Sequence, residues 1–173
     1  TADVDDAIIR EYRATRLFDK ELKRFYVAFP RRSPAINLPS HFHMCVARLK
    51  SLLSSLHPTL LTHYNEIFQE YLRLGMIEVV PRGEVSRDHN TTPHYIPHRA
   101  LVQDDTLQRI VFDALAKQKG GTSLNDHLHA GPSLTQDLLV ILLNFRLRQI
   151  GIISDIEKAF LQISLLASDK DLV

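Results

Sequence analysis

The sequence predicts an α+β fold, because it contains both helical stripes and paired strand-like runs. Between residues 40 and 75, apolar residues recur every three or four positions, which is the spacing of one helix face. Between residues 94 and 114, two β-branched runs flank the turn QDDT, a pattern typical of a β-hairpin. With 173 residues, 45% of them apolar, the chain can bury one core, or a core and a small lobe.

Composition excludes two classes of protein. The single cysteine, Cys45, rules out a disulfide framework and fits a reducing compartment, and its ordinary interpretation is a small apolar residue on a helix. The longest apolar run, Leu138 to Leu143, is too short to span a membrane, and the acidic N-terminus lacks the layout of a signal peptide. The formal charge of +1 leaves nucleic-acid binding open, because phosphates respond to a local basic face. We expect a piece cut from a longer polypeptide at both ends.

The first forty residues are predicted to contain a helix from Val4 to Leu22, the strand KRFYVAF and a proline-rich loop, RRSPAINLPS. A helical hairpin follows. Ser40 is the expected cap of its first helix and Pro58 opens the second, which ends at Gly75. The apolar stripes of the two helices are formed by Val46, Leu49, Leu53 and Leu56, and by Leu61, Tyr64, Phe68 and Tyr71.

The β-hairpin comes next, after the polar loop SRDHNTTP. Its strands are HYIPHRALV and LQRIVFDA, and Pro97 marks the first as an edge or bulged strand. After the loop AKQKGGTSLND, Ser133 and Gln136 have capping-box spacing at the start of a helix that runs to Gly151. Its broad apolar face is formed by Leu134, Leu138, Ile141, Leu142 and Phe145. GIISD then predicts a buried strand, followed by IEKAFLQISL.

Asp155 is the strongest chemical candidate. An acid at the end of an apolar strand, followed by a tight turn, suits a hard divalent cation bridged to phosphate oxygens. The same pattern is also typical of a capping or solvated aspartate. Three close histidine sets (His41 with His43, His94 with His98, and His127 with His129) suggest zinc only weakly, because no established zinc motif accompanies them.

Four segments in order, YIPHRALV, RIVFDALAK, TSLNDHLHAGP and ISDIEKAFLQI, resemble the reverse transcriptases of BEL/Pao long-terminal-repeat retrotransposons. The resemblance runs from about residue 40 to Val173. It implies a right-hand polymerase fragment: a connector at 1–40, then fingers and the N-terminal part of the palm at 41–173. It also implies that Asp155 is the first catalytic aspartate, which would bind two Mg²⁺ ions with carboxylates from further along the chain.

The resemblance implies nucleotide-binding roles for five more residues. Arg109 matches the fingers arginine over the incoming triphosphate, which a planar guanidinium suits, and Asp113 would orient Arg109 or the hairpin. The backbone N–H groups of Ile156 and Glu157 would face the triphosphate, and Phe160 would lie under the sugar. The ordinary interpretation of Arg109 is an exposed arginine on a hairpin, and that of Phe160 is a core phenylalanine.

One departure weakens the expected nucleotide site. The family usually has a lysine in the turn before the second strand, whereas this chain has Gln103, Asp104 and Asp105. The pairs Lys117 with Lys119 and Arg146 with Arg148 are candidates for template-primer contacts, or are simply solvated.

The implied function is RNA-directed DNA polymerisation within a Pol polyprotein. Its partners would be an RNA/DNA template-primer, deoxynucleoside triphosphates, Mg²⁺ and the remainder of the polyprotein, in a cytoplasmic virus-like particle or the nucleus and without a membrane. No Tyr-x-Asp-Asp segment occurs in the 173 residues, so the isolated chain is predicted not to polymerise. The alternative is a host-retained relic that binds nucleic acid or protein. We also expect self-association through the unpaired edge of IISDI.

Overall fold

A computed structural model describes residues 2–80, 93–104, 106–133, 135–147 and 149–173. Four α-helices and five strands lie in these ranges, so the α+β class is confirmed. The predicted loop SRDHNTTP lies outside the described residues except for Pro93. No helix in the described ranges is both long enough and apolar enough to cross a membrane.

The N-terminal helix is shorter than the sequence predicts. Helix α1 covers Ala2–Thr15, and a hairpin of β1 (Leu17–Asp19) and β2 (Arg24–Val27) replaces the rest of the predicted helix. The Asp19 carboxylate accepts hydrogen bonds from two backbone N–H groups of the turn, those of Glu21 at 2.8 Å and Leu22 at 3.0 Å. This local bonding competes with the helical alternative. The strand predicted within KRFYVAF is confirmed.

The chain's first and last strands meet in one sheet. Strand β5 (Ile163–Leu165) lies parallel to β2 and completes the order β1-β2-β5. Nearby, the fully buried carboxylate of Asp169 accepts a hydrogen bond from Phe29 N at 2.7 Å and pairs with Arg31. These contacts cross the predicted boundary at residue 40, which itself stays a prediction.

The core lies between two helices and a β-ribbon. Helices α2 (Phe42–Ser55) and α3 (Pro58–Arg73) pack on the ribbon of β3 (His98–Gln103) and β4 (Thr106–Phe112). The buried cluster consists of Tyr64, Tyr71, Leu107 and Ile110. Each such side chain contributes roughly 1.5–3 kcal/mol when it leaves water.

Several expectations for this helical hairpin are confirmed and two are wrong. Pro58 opens α3, and Gly75, with φ of 64°, adopts the left-handed conformation that ends it. His41, and not Ser40, is the N-cap of α2, with left-handed backbone angles and no capping side-chain bond. Of the predicted α2 stripe, Val46 and Leu49 are partly buried and Leu56 packs against the cluster, but Leu53 is exposed and Leu52 packs there in its place.

The β-ribbon matches the expected hairpin. Its strands are antiparallel, with a register shift between Leu101 and Val102, as expected of a bulged strand. Asp104, in the turn, has φ of 49°. Beyond the ribbon, a 3₁₀ helix at Leu124–His127 begins with a capping box formed by Ser123 and Asp126.

Two expectations for the region after Gly131 are wrong. The next helix, α4, covers only Leu138–Arg146, and its cap is Asp137, whose side chain accepts from Leu139 N at 2.7 Å. Ser133 instead contacts the Thr135 hydroxyl at 3.0 Å. GIISD is not a buried strand: no described strand pairs with it, and Ile153 is 87% exposed. 3₁₀ helices at Ala159–Gln162 and Ala167–Leu172 flank β5.

Candidate nucleic-acid interface

The predicted site residues fall into two groups in the structure. Arg109 and Asp113 lie on and just after β4, whereas Asp155, Ile156, Glu157 and Phe160 lie in the C-terminal segment. No hydrogen bond, ion pair or ring contact joins the two groups in the part of the chain that the structure describes. The C-terminal segment approaches α3 instead, because Lys158 Nζ lies 6.0 Å from the centre of the Tyr71 ring and Leu161 packs on the core cluster.

Asp113 is paired with an arginine that the sequence did not indicate. Its carboxylate accepts a hydrogen bond from Arg48 Nη1 of α2 at 2.9 Å, and both side chains are exposed. Its backbone N–H donates to the carbonyl of Pro97 at 2.9 Å, which closes the base of the ribbon. Asp113 therefore ties α2 to the ribbon, and Arg109 lies four residues away as an exposed side chain of β4, opposite Leu101.

Two adjoining grooves run along this junction and share Arg48, Arg99 and Asp113. The groove beside α2 has a volume of about 250 Å³ and is also lined by Ser51, Leu52, Ser55, Pro97 and His98. The groove beyond β4 has a volume of about 560 Å³ and is also lined by Val111, Phe112, Ala114, Leu115 and Asn125. Two guanidinium groups against one carboxylate leave the junction with a local positive charge. We call this pair of cavities the ribbon groove.

The wall of the ribbon groove contains a histidine among aromatic rings. The His98 ring stacks on Tyr64 at a centroid distance of 5.9 Å and contacts Phe68 at 5.2 Å and Phe112 at 5.9 Å. Burial lowers the pKa of His98, because its charged form would lose water without gaining a partner. Burial also raises the pKa of Tyr64 to about 12, and the Tyr64 hydroxyl has no hydrogen-bond partner within the described ranges.

The loop beyond the ribbon groove is held by Asp126. Hydrogen bonds from the Ser123 backbone N–H and from Lys117 Nζ, both at 3.0 Å, lower the pKa of Asp126 to about 2. Lys117, one of the predicted template-primer candidates, is therefore engaged by this carboxylate. Asn125, which lines the ribbon groove, lies beside Asp126 in the same 3₁₀ helix.

The C-terminal group is open to solvent. The Asp155 carboxylate accepts from the N–H of the next residue, Ile156, at 2.8 Å, and Glu157 lies 3.4 Å from Lys158. Phe160 is 92% exposed, so the interpretation as a core phenylalanine does not hold. Within the described ranges, no three His, Cys, Asp or Glu side chains are grouped so that they could bind a metal ion. These residues alone do not fit a two-Mg²⁺ centre.

Sequence reasoning missed Arg48, Arg99 and Asn125, because their meeting depends on how α2 and the Leu124–His127 turn pack on the ribbon. Each is an ordinary surface residue in its own segment. Two histidines from different predicted pairs are in contact in the structure. His41 contacts His94, 53 positions further on, at a centroid distance of 4.9 Å.

Comparison with known proteins returns no match to a protein-family model, a curated protein or a solved structure. The resemblance to BEL/Pao reverse transcriptases therefore rests on the four sequence segments. Its functional content is a proposal, to be judged by experiment.

Proposed function

We propose that this chain is the fingers and first part of the palm of a BEL/Pao-type reverse transcriptase. The observation that carries the proposal is the order and spacing of the four sequence segments, which end in ISDIEKAFLQI. A two-stranded ribbon backed by two helices, with Arg109 exposed on β4, is compatible with a lobe that closes over a nucleotide.

The parent reaction adds deoxynucleotides to a primer 3′-hydroxyl. In this family two Mg²⁺ ions activate that hydroxyl and stabilise the pyrophosphate. Asp155 is the ligand that the resemblance implies, and no group of three or more His, Cys, Asp or Glu side chains in the described ranges could complete such a centre. The chain's own residues would bind and orient the nucleotide, with Arg109 against the triphosphate and Phe160 under the sugar.

The ribbon groove supports contact with a nucleic-acid backbone. Arg48 and Arg99 offer planar donors that suit phosphate oxygens, and the exposed Phe112 ring offers a surface for a base. Because the attraction is electrostatic, binding should weaken as salt increases.

The proposal is tested by binding of a template-primer to the purified chain, measured by fluorescence anisotropy at several salt concentrations. We expect salt-sensitive binding that deoxynucleotide plus Mg²⁺ strengthens, and we expect Arg109→Gln to remove the nucleotide effect. Arg10→Gln, on the exposed side of α1, is the matched control. Binding without any nucleotide effect would contradict the proposal for Arg109.

The alternative is a relic that binds nucleic acid or protein without catalysis. The acidic pair Asp104 and Asp105, where the family usually has a lysine, favours this alternative, and of the two only Asp104 lies within the described residues. The sequence of the native transcript beyond the codon of Val173 distinguishes the polymerase from the relic. A frame that continues into Tyr-x-Asp-Asp supports the polymerase, and a nearby stop codon supports the relic.

A further inference from the structure

A buried pair of histidines joins three distant segments of the chain. His41, at the start of α2, is 3% exposed, and His94, at the entry to β3, is 5% exposed. Their ring centroids are 4.9 Å apart with an interplanar angle of 58°. The third segment is the 3₁₀ helix Ala167–Leu172, whose Asp171 carbonyl accepts a hydrogen bond from His94 N at 3.0 Å.

The two imidazoles differ in their hydrogen bonding. His94 Nδ1 lies 2.7 Å from the carbonyl of Pro39, which can only accept, so Nδ1 carries the proton. Neither ring nitrogen of His41 has a hydrogen-bond partner among the described residues. A buried imidazole without a partner is stable only as the neutral form, because its cation would be desolvated and uncompensated.

Neighbouring charges do not compensate a proton on this pair. The titratable or charged side chains on the elements around it are those of His43, Cys45, Arg48, Lys50, Tyr95, His98, Arg99, Asp169, Lys170 and Asp171. No ion pair joins any of them to either ring in the part of the chain that the structure describes. Arg48 bonds Asp113, Asp169 pairs with Arg31, and the Cys45 thiol donates to the Tyr95 carbonyl at 3.2 Å. Lys170 of the same 3₁₀ helix pairs with Glu78 at 2.9 Å.

The interactions of His41 and His94 with each other also oppose protonation. Burial, and then the neighbouring His94, lower the pKa of His41. A charge on one ring repels a charge on the other, since the rings are in contact.

We infer that the His41–His94 pair is an acid-sensitive joint, and that its protonation separates the start of α2, the entry to β3 and the Ala167–Leu172 helix. Opening exposes the His41 ring to water, where it takes up a proton near the ordinary value of 6.5. The closed joint is therefore favoured above that pH and progressively lost below it. The open population should rise by up to about tenfold per pH unit as the His41 imidazole takes up its proton.

Amide hydrogen exchange measures this opening directly. The reporters are the N–H groups of Cys45, His94 and Tyr95, which donate to His41, Asp171 and Ser40 respectively. Protection factors, which correct for the intrinsic pH dependence of exchange, should fall by up to about tenfold per pH unit below 6.5. The amides in the middle turns of α3 should keep their protection.

The matched variants remove the titrating groups and keep the backbone. His41→Asn retains a residue that tolerates left-handed angles, and the amide of His94→Asn can still donate to Pro39. In the double variant the three reporters should show no acid loss, whereas the control His63→Asn, on the exposed side of α3, should behave like the native chain.

Three results would overturn the joint: protection that does not change with pH, equal loss at the reporters and in α3, or an unchanged acid loss in the double variant. If the double variant does not fold, NMR titration of the His41 ring in the native chain decides. A midpoint below 6.5 supports the joint, and one at or above that value refutes it.

Discussion

Helices α3 and α4 are both rich in apolar residues, yet only α3 buries them. Tyr64 and Tyr71 of α3 lie in the core cluster, whereas all six apolar residues from Leu138 to Leu143 of α4 are exposed. A helix that is apolar on every side is typical of one enclosed by other elements. The comparison shows that an apolar pattern predicts a helix but does not predict which part of the molecule covers it.

Tyr64→Ala should cause the largest loss of stability. Phe160→Ala, in the exposed C-terminal segment, should cause almost none. Truncating a buried aromatic side chain costs about 3–5 kcal/mol, whereas exposed substitutions stay within about 0.5 kcal/mol. Urea denaturation of both variants measures the difference. Equal losses would show that the C-terminal segment around Phe160 is packed in solution.

Asp169→Asn should be the next most destabilising. The buried carboxylate accepts from Phe29 N and pairs with Arg31, which is partly exposed, so we expect a loss of about 2–3 kcal/mol. Asp171→Asn is the control, because Asp171 contributes its backbone carbonyl to the neighbouring contact. Thermal unfolding compares the two, and a neutral Asp169→Asn would show that the first and last strands do not depend on this bond.

Tyr64→Phe should be neutral or stabilise the fold by about 1 kcal/mol, because the Tyr64 hydroxyl is buried and no described residue bonds it. Urea denaturation of this variant beside Tyr64→Ala separates the ring's contribution from that of the hydroxyl. A clear loss of stability would mean that the hydroxyl has a partner in solution.

His98→Phe should reduce the dependence of stability on pH. Since burial lowers the pKa of His98, the unfolded chain binds the proton more readily, and stability falls as pH decreases below 6.5. The free energy of unfolding measured across that range should change less in the variant. His57→Phe, at the exposed N-cap of α3, should retain the native slope.

Leu139→Glu in α4 should have the smallest effect on folding and a large effect on association. The side chain is exposed, so the free energy of unfolding should change by less than about 0.5 kcal/mol. Light scattering should show fewer oligomers than the native chain, if the exposed α4 surface drives self-association. An unchanged oligomer distribution would place the association elsewhere.

Residue spacing and turn residues predicted the parts of the fold that are determined by residues close together in the sequence. The α3 stripe, its Pro58 start and the hairpin around QDDT follow from spacing and turn residues, and all three are confirmed. The cap of α4 was wrong because Asp137 competes with Ser133, and the buried strand at GIISD was wrong because no described strand pairs with it. Arg48 with Asp113 and His41 with His94 are contacts between distant segments, which no single pattern contains.

The parallel pairing of β2 with β5 sets an order of events during synthesis. Asp169 bonds a residue 140 positions earlier in the chain, Phe29. At about 5–20 residues per second, a ribosome needs on the order of ten seconds to make that stretch. During this interval the β1–β2 hairpin has a free edge, and a chaperone or another nascent chain can pair with it before β5 arrives.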